Sequence, residues 1–508
     1  MKELKLNFAY IFVMLFMVTA CYDSKFDEQP PLPVEEGDNN DNTDEDGSYS
    51  EKYRPLIHYT PAKNWINDPN GLVYANGVYH MFYQYNPMGN DWGNMSWGHA
   101  ISSDLIKWKE QPVALTRDEL GDIFSGSAVY DENNTAGFGN GAIVALYTSS
   151  GEHQQQSLAY STDGKNFSKY ENNPVISNTT EPDFRDPKVC WYEKGGYWVM
   201  SLAMGNKHAI QFFKSTDLKN WDNLSTFTWN SDACNRGQWE CPDLLKMDYN
   251  GDEKWVLIVS VNPGGPVLGS GTMYFIGNFD GTTFVADDRN YPLWLDYGMD
   301  NYAGVTWSNT PDNRIVFIGW MNNWKYAGSV PATPWRSAMT LPRELKLIEY
   351  DGKLLLANTV VSEIESIASE WIDVNEENLG VEGPYQLRLE INLDSDVSLS
   401  LENESGEYVN INIDSSNRQM ITARTSSTGA YSFSNEFSVP SVKSPLNTDG
   451  NSVILDIYVD QSSVEIFTSD GSMAQTNLVF PNSIYNKFKC DNANVVAKVR
   501  ALQNIWVN

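Results

Sequence analysis

Ser103-Asp104-Leu105-Ile106-Lys107-Trp108 is the first copy of a short pattern that recurs along the chain: a polar residue, an acid, small or polar residues and then an aromatic. Three more copies follow, namely Thr162-Asp163-Gly164-Lys165-Asn166-Phe167, Thr216-Asp217-Leu218-Lys219-Asn220-Trp221 and the weaker Asn278-Phe279-Asp280-Gly281-Thr282-Thr283-Phe284. Their acids lie 59, 54 and 63 residues apart. A period of about 60 residues in a β-rich chain is typical of one four-stranded β-propeller blade with long loops. The repeat therefore predicts a five-bladed β-propeller over residues 53–345.

The composition predicts an all-β protein throughout. The chain has 17 Trp, 27 Tyr and 21 Phe, in short runs bounded by Gly, Asn, Asp and Pro, and long runs at helical period are scarce. Residues 346–370 are predicted to be a linker, with a possible short helix at 360–367. In residues 371–508, alternation resumes at 386–393, 397–401, 453–459 and 464–467, which predicts the antiparallel strands of a C-terminal β-sandwich.

The first 52 residues are predicted to lie outside the folded body. Residues 1–21 resemble a bacterial lipoprotein signal, in which a short apolar run ends at two small residues and a lipidated Cys21. An ordinary cleaved signal with an incidental cysteine is the alternative. Residues 22–52 are rich in Asp, Glu, Asn, Pro, Gly and Ser, which predicts a disordered acidic tether. The acids just after Cys21 resemble a tag for export to the outer face, so we predict an outer-membrane lipoprotein at the cell surface, with the periplasmic face as the alternative.

Charge and cysteine usage limit the possible partners. The net charge of −31 argues against nucleic acid or an anionic lipid surface, because both would be repelled, and it is compatible with a neutral substrate. The five cysteines and five histidines match neither a disulfide framework nor a zinc site. We therefore expect no metal ion and no cofactor, and we expect a monomer.

A second series of polar motifs follows the same period. Its members are Asp68, Ser125, Asp186, Glu240 and Asp300, at intervals of 57, 61, 54 and 60 residues. Similar points on the innermost strands of successive blades face the same axis, so these five positions are predicted to form one pocket. Like charges in such a cleft raise one another's pKa, which is the arrangement that glycoside hydrolysis needs: one carboxyl protonates the leaving oxygen while another attacks or activates water.

Local sequence adds rigidity and a set of candidate sugar-binding aromatics. Pro69 and the turn dipeptide Asn70-Gly71 hold the chain around Asp68 in a stiff, non-helical conformation. Aromatic side chains near the motifs would suit stacking on sugar faces, although most tryptophans in a propeller only pack within the blades. The candidates are Trp65, Trp92, Trp97, Phe124 and Trp324.

Taken together, the motifs resemble those of glycoside hydrolase family 32, which includes invertases, inulinases and levanases. The matching stretches occur in family order over most of the chain: Trp65-Ile66-Asn67-Asp68-Pro69-Asn70-Gly71, Phe82-Tyr83-Gln84-Tyr85-Asn86-Pro87, Trp97-Gly98-His99-Ala100, Phe124-Ser125-Gly126-Ser127, Phe184-Arg185-Asp186-Pro187-Lys188, Trp239-Glu240-Cys241-Pro242-Asp243 and Trp335-Arg336-Ser337. The resemblance implies a catalytic propeller followed by a β-sandwich.

The resemblance also implies roles for individual residues. Asp68 would be the nucleophile, Glu240 the general acid/base and Asp186 a stabiliser of the transition state. The predicted substrate-binding residues are Asn67, Gln84, Trp92, Phe124, Ser125, Arg185, Asp300 and Trp324. The run Asp300-Asn301-Tyr302-Ala303 departs from the family's Asp-Phe-Tyr-Ala. We expect the thiol of Cys241 to pack beside Glu240 and to form no disulfide with Cys234.

The leading hypothesis is a retaining hydrolase of fructan that cuts β-2,6 levan internally. An exo-acting fructanase, an inulinase or an invertase is the first alternative. A non-catalytic glycan-binding lipoprotein is a second, although it would not need both Asp68 and Glu240. An arabinan hydrolase and a fructosyltransferase also stay open, the latter because it would use the same three acids.

Overall fold

The computed structural model describes residues 49–490 and 495–507. The predicted signal (1–21), the predicted lipidation site Cys21 and the tether as far as residue 48 lie outside the described residues. In the part of the chain that the structure describes, no helix is long and apolar enough to cross a membrane.

Strands of the first three blades run outward in chain order. The first blade contains β1 (Asn64–Ala75), β2 (Val78–Tyr85), β3 (Ser96–Ser102) and β4 (Lys109–Leu115). The second contains β5 (Asp122–Asp131), β6 (Ala142–Ser150), β7 (Gln154–Ser161) and β8 (Ser168–Lys169). The third contains β9 (Phe184–Tyr192), β10 (Tyr197–Met204), β11 (Ala209–Ser215) and β12 (Asp222–Thr228), with a 3-10 helix at Gly205–Lys207.

The last two blades have extra short strands. The fourth contains β13 (Gln238–Tyr249), β14 (Asp252–Asn262), β15 (Gly271–Phe279) and β16 (Phe284–Ala286), and β17 (Leu293–Trp294) pairs with β15. The fifth begins with β18 (Tyr302–Thr306) and β19 (Val316–Met321). The next strand, β20 (Trp335–Arg336), pairs with β1 of the first blade. The fifth blade then continues with β21 (Ala338–Met339), β22 (Arg343–Tyr350) and β23 (Lys353–Val360). Its loops hold 3-10 helices at Pro311–Asn313 and Ala327–Ser329. The chain thus has the predicted five-bladed propeller.

The repeated acidic pattern is the turn between the third and fourth strands of a blade. Between β3 and β4, Asp104 Oδ1 accepts hydrogen bonds from Ile106 N at 3.0 Å and Lys107 N at 2.8 Å. Asp163, Asp217 and Asp280 accept from backbone N–H groups in the same way in the next three blades. In the fifth blade, β22 and β23 are joined by a tighter hairpin through Asp351-Gly352, which explains why the pattern has four copies.

The innermost strands β1, β5, β9, β13 and β18 lie against one another around the axis. The last blade also meets the first. Ser308 N, just after β18, donates to Leu72 O at 3.0 Å, and Tyr74 N donates to Ser308 O at 2.9 Å. Side chains near the same end of these five strands therefore point into one space.

The C-terminal part is a sandwich of two antiparallel sheets within the described residues. Its strands are β24 (Ile372–Asp373), β25 (Tyr385–Asn392), β26 (Val397–Glu402), β27 (Tyr408–Asp414), β28 (Gln419–Arg424), β29 (Val439–Pro445), β30 (Ser452–Val459), β31 (Ser463–Thr468), β32 (Ala474–Leu478), β33 (Lys487–Cys490) and β34 (Val495–Ala501). One sheet has the order β24-β34-β25-β30-β31-β32 and the other β29-β28-β27-β26-β33. Alternating aliphatic residues such as Leu387, Leu389 and Ile411 fill the space between them, as expected from the period of two.

Domain limits differ from the predicted ones in two places. The predicted propeller end at residue 345 falls inside β22, because Leu345 and Leu347 continue the buried face of the fifth blade. The part that joins the two domains is therefore shorter than 346–370 and contains the 3-10 helix Ser362–Ile367, where a short helix was predicted. At the other end, Tyr49 stacks on Trp506 with ring centroids 4.0 Å apart, so residues 49–52 belong to the folded body and not to the tether.

Candidate active site

A β-bulge interrupts the innermost strand of each blade near the predicted site residue. The register shifts between Ile66 and Pro69 in β1, between Ile123 and Gly126 in β5 and between Glu240 and Asp243 in β13. Similar shifts occur beside Asp186 in β9 and beside Tyr302 in β18. A bulge bends its strand and redirects a side chain, which is why bulges are common next to active sites. Here the bulges turn five strand positions toward one end of the axis.

The resulting cavity has a volume of about 310 Å³. Ten of the eleven predicted catalytic and substrate-binding residues line it, namely Asn67, Asp68, Gln84, Trp92, Phe124, Ser125, Arg185, Asp186, Glu240 and Trp324. Further along the axis, between Pro69, Pro187 and Pro242, only about 10 Å³ of space is left. The cavity therefore ends on a filled floor.

Asp68 lies at this floor and is held by neutral donors. Ser125 Oγ donates to Asp68 Oδ2 at 2.6 Å, and Asn67 Nδ2 donates to Asp68 Oδ1 at 3.0 Å. Asn67 is fixed in turn, because its Oδ1 accepts from Trp65 Nε1 at 2.8 Å. Burial raises the pKa of Asp68, and the hydrogen bond from Ser125 opposes that rise. Both oxygens are thus oriented without a cationic partner.

Glu240 has a different environment. Its Oε1 accepts from Arg185 Nε at 3.1 Å and from Nη2 at 2.9 Å, and its Oε2 accepts from the hydroxyl of Tyr302. Burial raises the pKa of Tyr302 far above its ordinary value, so this phenol keeps its proton and acts as a donor. Arg185 is itself held by Asp183 Oδ1 and Gln238 Oε1, both at 2.8 Å. The carboxyl of Glu240 is thus fixed at both oxygens.

Asp186 completes the group of three carboxyls. Its backbone has φ of 64°, which is unusual for a residue other than Gly and marks local strain. Cys241 N donates to Asp186 Oδ2 at 3.0 Å, and Arg185 Nε lies 3.9 Å from the same oxygen. Burial raises the pKa of Asp186 to about 7, since the neighbouring Arg185 only partly offsets it.

Cys241 has contacts beyond the expected one with Glu240. Its buried Sγ is 3.6 Å from Asp68 Oδ2 and 3.7 Å from Asp186 Oδ2, so it packs between these two acids, and the charge of Glu240 also acts on it. The cause is the bulge in β13, where Cys241 has φ of 47° and ordinary strand alternation is lost. Its thiol and that of Cys234 are both free.

The aromatic predictions divide into two groups. Trp92 is 50 % exposed and, with the half-buried Phe124 and Trp324, forms the wall of the cavity. Trp65 and Trp97 are buried, so the expectation that they stack on sugar is wrong. They instead support the wall: Trp65 stacks on Trp324 with centroids 5.9 Å apart, and Trp97 Nε1 donates to Phe124 O at 3.0 Å.

Asp300 is the predicted substrate-binding residue that lies outside the cavity. It is fully buried and accepts hydrogen bonds from Tyr326, Arg424 and Leu478 of the neighbouring segments. The prediction is wrong because Tyr302, and not Asp300, is the residue of the fifth blade that reaches the site, where its hydroxyl bonds to Glu240. The 60-residue spacing did not predict this. In the run Asp300-Asn301-Tyr302, the tyrosine is the first residue of β18, and Asp300 lies two residues before that strand.

The arrangement offers paired carboxyls for acid/base and nucleophilic chemistry on a small neutral ligand. Within residues 49–490 and 495–507, no group of three or more His, Cys, Asp and Glu residues is placed to hold a metal ion. The groups that line the cavity supply carboxyls and fixed donors for acid/base and nucleophilic chemistry.

Known proteins with similar sequences support this description. The glycosyl hydrolases family 32 N-terminal domain matches residues 58–358, and the family's C-terminal domain matches residues 363–506. A levanase of Bacillus subtilis is 43% identical over 480 residues, which cover 89% of this chain and 70% of that protein. An extracellular exo-inulinase of Aspergillus niger is 39% identical over 493 residues, covering 86% of this chain and 91% of that protein.

Solved structures give the same result for the fold. The exo-inulinase of Aspergillus awamori superposes with a TM-score of 0.83 at 36% identity, covering 90% of this chain and all of that one (100%). A β-fructofuranosidase of Schwanniomyces occidentalis, complexed with fructosyl-erythritol, has a TM-score of 0.78 at 32% identity and covers 90% of this chain and 98% of its own. Since both family domains match in order over nearly all of the described residues, the chain belongs to the glycosyl hydrolases of family 32.

Proposed function

We propose that this glycoside hydrolase releases terminal fructose units from fructan by a two-step mechanism that retains the anomeric configuration. The observation that carries the proposal is the pair of unlike carboxyls in one cavity. Asp68 is oriented by the neutral donors Ser125 and Asn67, whereas Glu240 is held by Arg185 and Tyr302. Two carboxyls in different environments suit the two different roles of a retaining glycosidase.

In the first step, a carboxylate oxygen of Asp68 attacks the anomeric carbon of the fructofuranosyl unit. The bond to the leaving oxygen breaks, and Glu240 gives that oxygen its proton. In the second step Glu240 removes a proton from water, the water attacks the same carbon, and fructose leaves as the Asp68 carboxylate is restored. Asp186 is positioned to accept hydrogen bonds from sugar hydroxyls, with Arg185 nearby to balance its charge.

The shape of the cavity favours the end of a chain over its middle. A volume of about 310 Å³ is at the small end of the range of ligand sites, and the filled floor leaves no second exit along the axis. An internal unit of a polymer would need room for a neighbour on both sides. The similarity to two exo-inulinases and a levanase supports fructan as the substrate class, with either β-2,1 or β-2,6 linkages.

Product analysis tests this proposal. The purified protein is incubated with levan, inulin and sucrose, and samples are separated by chromatography over time. We expect free fructose as the first product from both polymers. A ladder of oligosaccharides that precedes fructose would instead support the predicted internal cutting of levan, and products longer than the substrate would indicate fructosyl transfer.

Asp68→Asn is the matched control, because it removes the nucleophile and changes almost no volume. We expect its turnover to fall by at least ~10³-fold, with an unchanged circular dichroism spectrum. Near-normal turnover in this variant would show that Asp68 is not the nucleophile. It would leave the question of terminal or internal cutting to the product analysis.

We also propose that a lipid on Cys21 holds the enzyme at the outer surface of the outer membrane. The support is the sequence of residues 1–21 and the acidic composition of 22–48, which would place an acidic tether between the lipid and the catalytic body. We expect Cys21→Ala to appear in the soluble fraction and protease to remove the wild-type protein from intact cells. Full protection from protease in intact cells would favour the periplasmic face.

A further inference from the structure

A buried cluster joins the sandwich to the propeller close to the cavity. Its members are Asp300, Tyr326 and Arg424, which we name the interdomain clasp. Arg424 Nη1 donates to Asp300 Oδ2 at 2.6 Å, and Arg424 Nη2 donates to Tyr326 Oη at 2.7 Å. Tyr326 Oη donates in turn to Asp300 Oδ1 at 2.6 Å. Each member of the clasp therefore bonds to the other two.

The clasp is closed to water and fully satisfied. Asp300, Tyr326 and Arg424 are all buried. Arg424 also donates through Nε to Phe437 O at 2.8 Å, and its guanidinium lies 3.7 Å from the centre of the Phe437 ring. A buried ion pair with this many partners has little freedom to shift, so it fixes the relative position of the groups attached to it.

The first of these groups is the segment that leads into the catalytic strand β18. Residues 297–300 run beside β32 of the sandwich: Tyr297 N donates to Ala474 O at 2.8 Å, Met299 N to Thr476 O at 3.0 Å and Asp300 N to the same oxygen at 3.1 Å. Two residues after Asp300, the hydroxyl of Tyr302 bonds to Glu240 Oε2. The sandwich therefore holds the chain that places the Tyr302 donor.

The second group is the loop that carries Trp324, which lines the cavity. Tyr326 lies two residues after Trp324, and Trp324 N donates to Ser270 Oγ at 3.1 Å. Asn323 Nδ2 donates to Met299 O at 2.7 Å, which ties this loop directly to the segment before β18. The clasp thus contacts both the segment of Tyr302, whose hydroxyl bonds to Glu240, and the loop of Trp324, which lines the cavity.

Domain attachment alone does not account for the clasp, because the sandwich has other buried polar contacts with the propeller. His58 bonds to Asp460 at 2.8 Å and to Glu465 at 2.9 Å, and Arg343 bonds to Glu465 at 2.7 Å. These contacts join the two domains without touching a cavity residue. Arg424, in contrast, bonds directly to Asp300 and Tyr326, which belong to the segments that carry Tyr302 and Trp324.

We infer that Arg424 of the C-terminal sandwich is a positioning residue for catalysis. Through Asp300 it keeps the Tyr302 hydroxyl bonded to Glu240, and through Tyr326 it keeps Trp324 in the cavity wall. The inference rests on the proposed role of Glu240 as the acid/base. It makes the sandwich a working part of the active site and not only a covering domain. A misplacement of about 1 Å is enough to lower turnover by roughly 100-fold in well-ordered sites.

The test compares Arg424→Gln with Arg500→Gln. Arg500 is also a buried arginine of the sandwich, but it pairs with Glu365 of the linker helix and contacts no cavity residue. Turnover, KM and the pH profile on sucrose or a short fructan are measured below the melting temperature of each variant. We expect Arg424→Gln to lower kcat roughly 10- to 100-fold and to shift the alkaline limb of the pH profile, because the hydrogen bond to the proposed acid is disturbed.

Arg500→Gln should lower the melting temperature and leave kcat and the pH limb unchanged. Wild-type kcat and pH profile in Arg424→Gln would overturn the inference. If that variant does not fold, Tyr326→Phe is tested in its place, because it removes one hydroxyl and keeps the ring. A kcat and pH profile of Tyr326→Phe equal to those of the wild type would likewise refute the inference. Glu240→Gln keeps the two proposals apart: its failure to lower turnover would refute the proposed acid/base, whatever Arg424→Gln does.

Discussion

His58 is predicted to make the stability of the folded body depend on pH. Its ring lies buried between Asp460 and Glu465 of the sandwich, with Nδ1 2.8 Å from Asp460 Oδ2 and Nε2 2.9 Å from Glu465 Oε2. Burial alone would lower the pKa of His58, but the two carboxylates outweigh it and raise the pKa from 6.5 to about 9. The protonated ring therefore bridges the first residues of the propeller and the sandwich.

The magnitude follows from this difference. The pKa of His58 rises from 6.5 in the unfolded chain to about 9 in the folded protein, and each pKa unit corresponds to ~1.4 kcal/mol. The protonated ring therefore contributes about 3 kcal/mol to the free energy of unfolding. Because the pKa in the folded state is the higher one, this stability is fully present below pH 6.5 and is lost as the pH rises through about 9. Arg343 and His58 lower the pKa of Glu465 to about 2, and the His58 part of that shift belongs to the same interaction.

Unfolding by urea or heat at pH 6, 7.5 and 9.5 measures the effect in the wild type and in His58→Gln. We expect the wild type to be more stable than the variant by about 3 kcal/mol at pH 6 and the difference to shrink toward pH 9.5. His153→Gln is the matched control, since His153 is exposed, and its curve should follow that of the wild type. A stability difference between wild type and His58→Gln that stays constant over this range would refute the reasoning.

Three further predictions concern the cavity. Glu240→Gln should lower turnover by at least ~10³-fold on natural fructans and much less on a substrate with a good leaving group, which rate measurements on both substrates will show. Cys241→Ser should leave turnover measurable but shift the acidic limb of the pH profile, because a more polar group then faces Asp68 and Asp186; complete inactivation would imply a direct role for the thiol. Trp92→Ala should raise KM several-fold with little change in kcat, because Trp92 lies at the exposed edge of the wall; an unchanged KM on both polymer and sucrose would exclude it from binding.

The blade repeat could be predicted because it has a local cause. Each marker acid accepts hydrogen bonds from backbone N–H groups two or three residues further on, so the pattern is complete within one turn. The spacing of Asp68, Ser125, Asp186 and Glu240 followed from the same period. These residues meet in one cavity because each is carried on the innermost strand of its own blade.

The position of Cys241 could not be predicted, because it depends on a β-bulge. A bulge shifts the register by one residue and is not visible in a pattern with period two. In β13 it placed Cys241 between Asp68 and Asp186. Asp300 was misassigned for another reason, because it precedes β18, which begins at Tyr302. The partners of Asp300 could not be predicted either, because Arg424 and Leu478 are far away in sequence and reach it only through the packing of the two domains.

The filled floor of the cavity determines how a reaction cycle has to end. With only about 10 Å³ of space beyond Asp68, a freed sugar cannot pass along the propeller axis and has to leave through the mouth by which the substrate entered. Under the terminal cutting proposed above, the shortened polymer occupies that mouth and has to move aside before fructose can leave. Successive cuts on one chain would then be separated by its dissociation, and free fructose would compete with each incoming chain end for the same space.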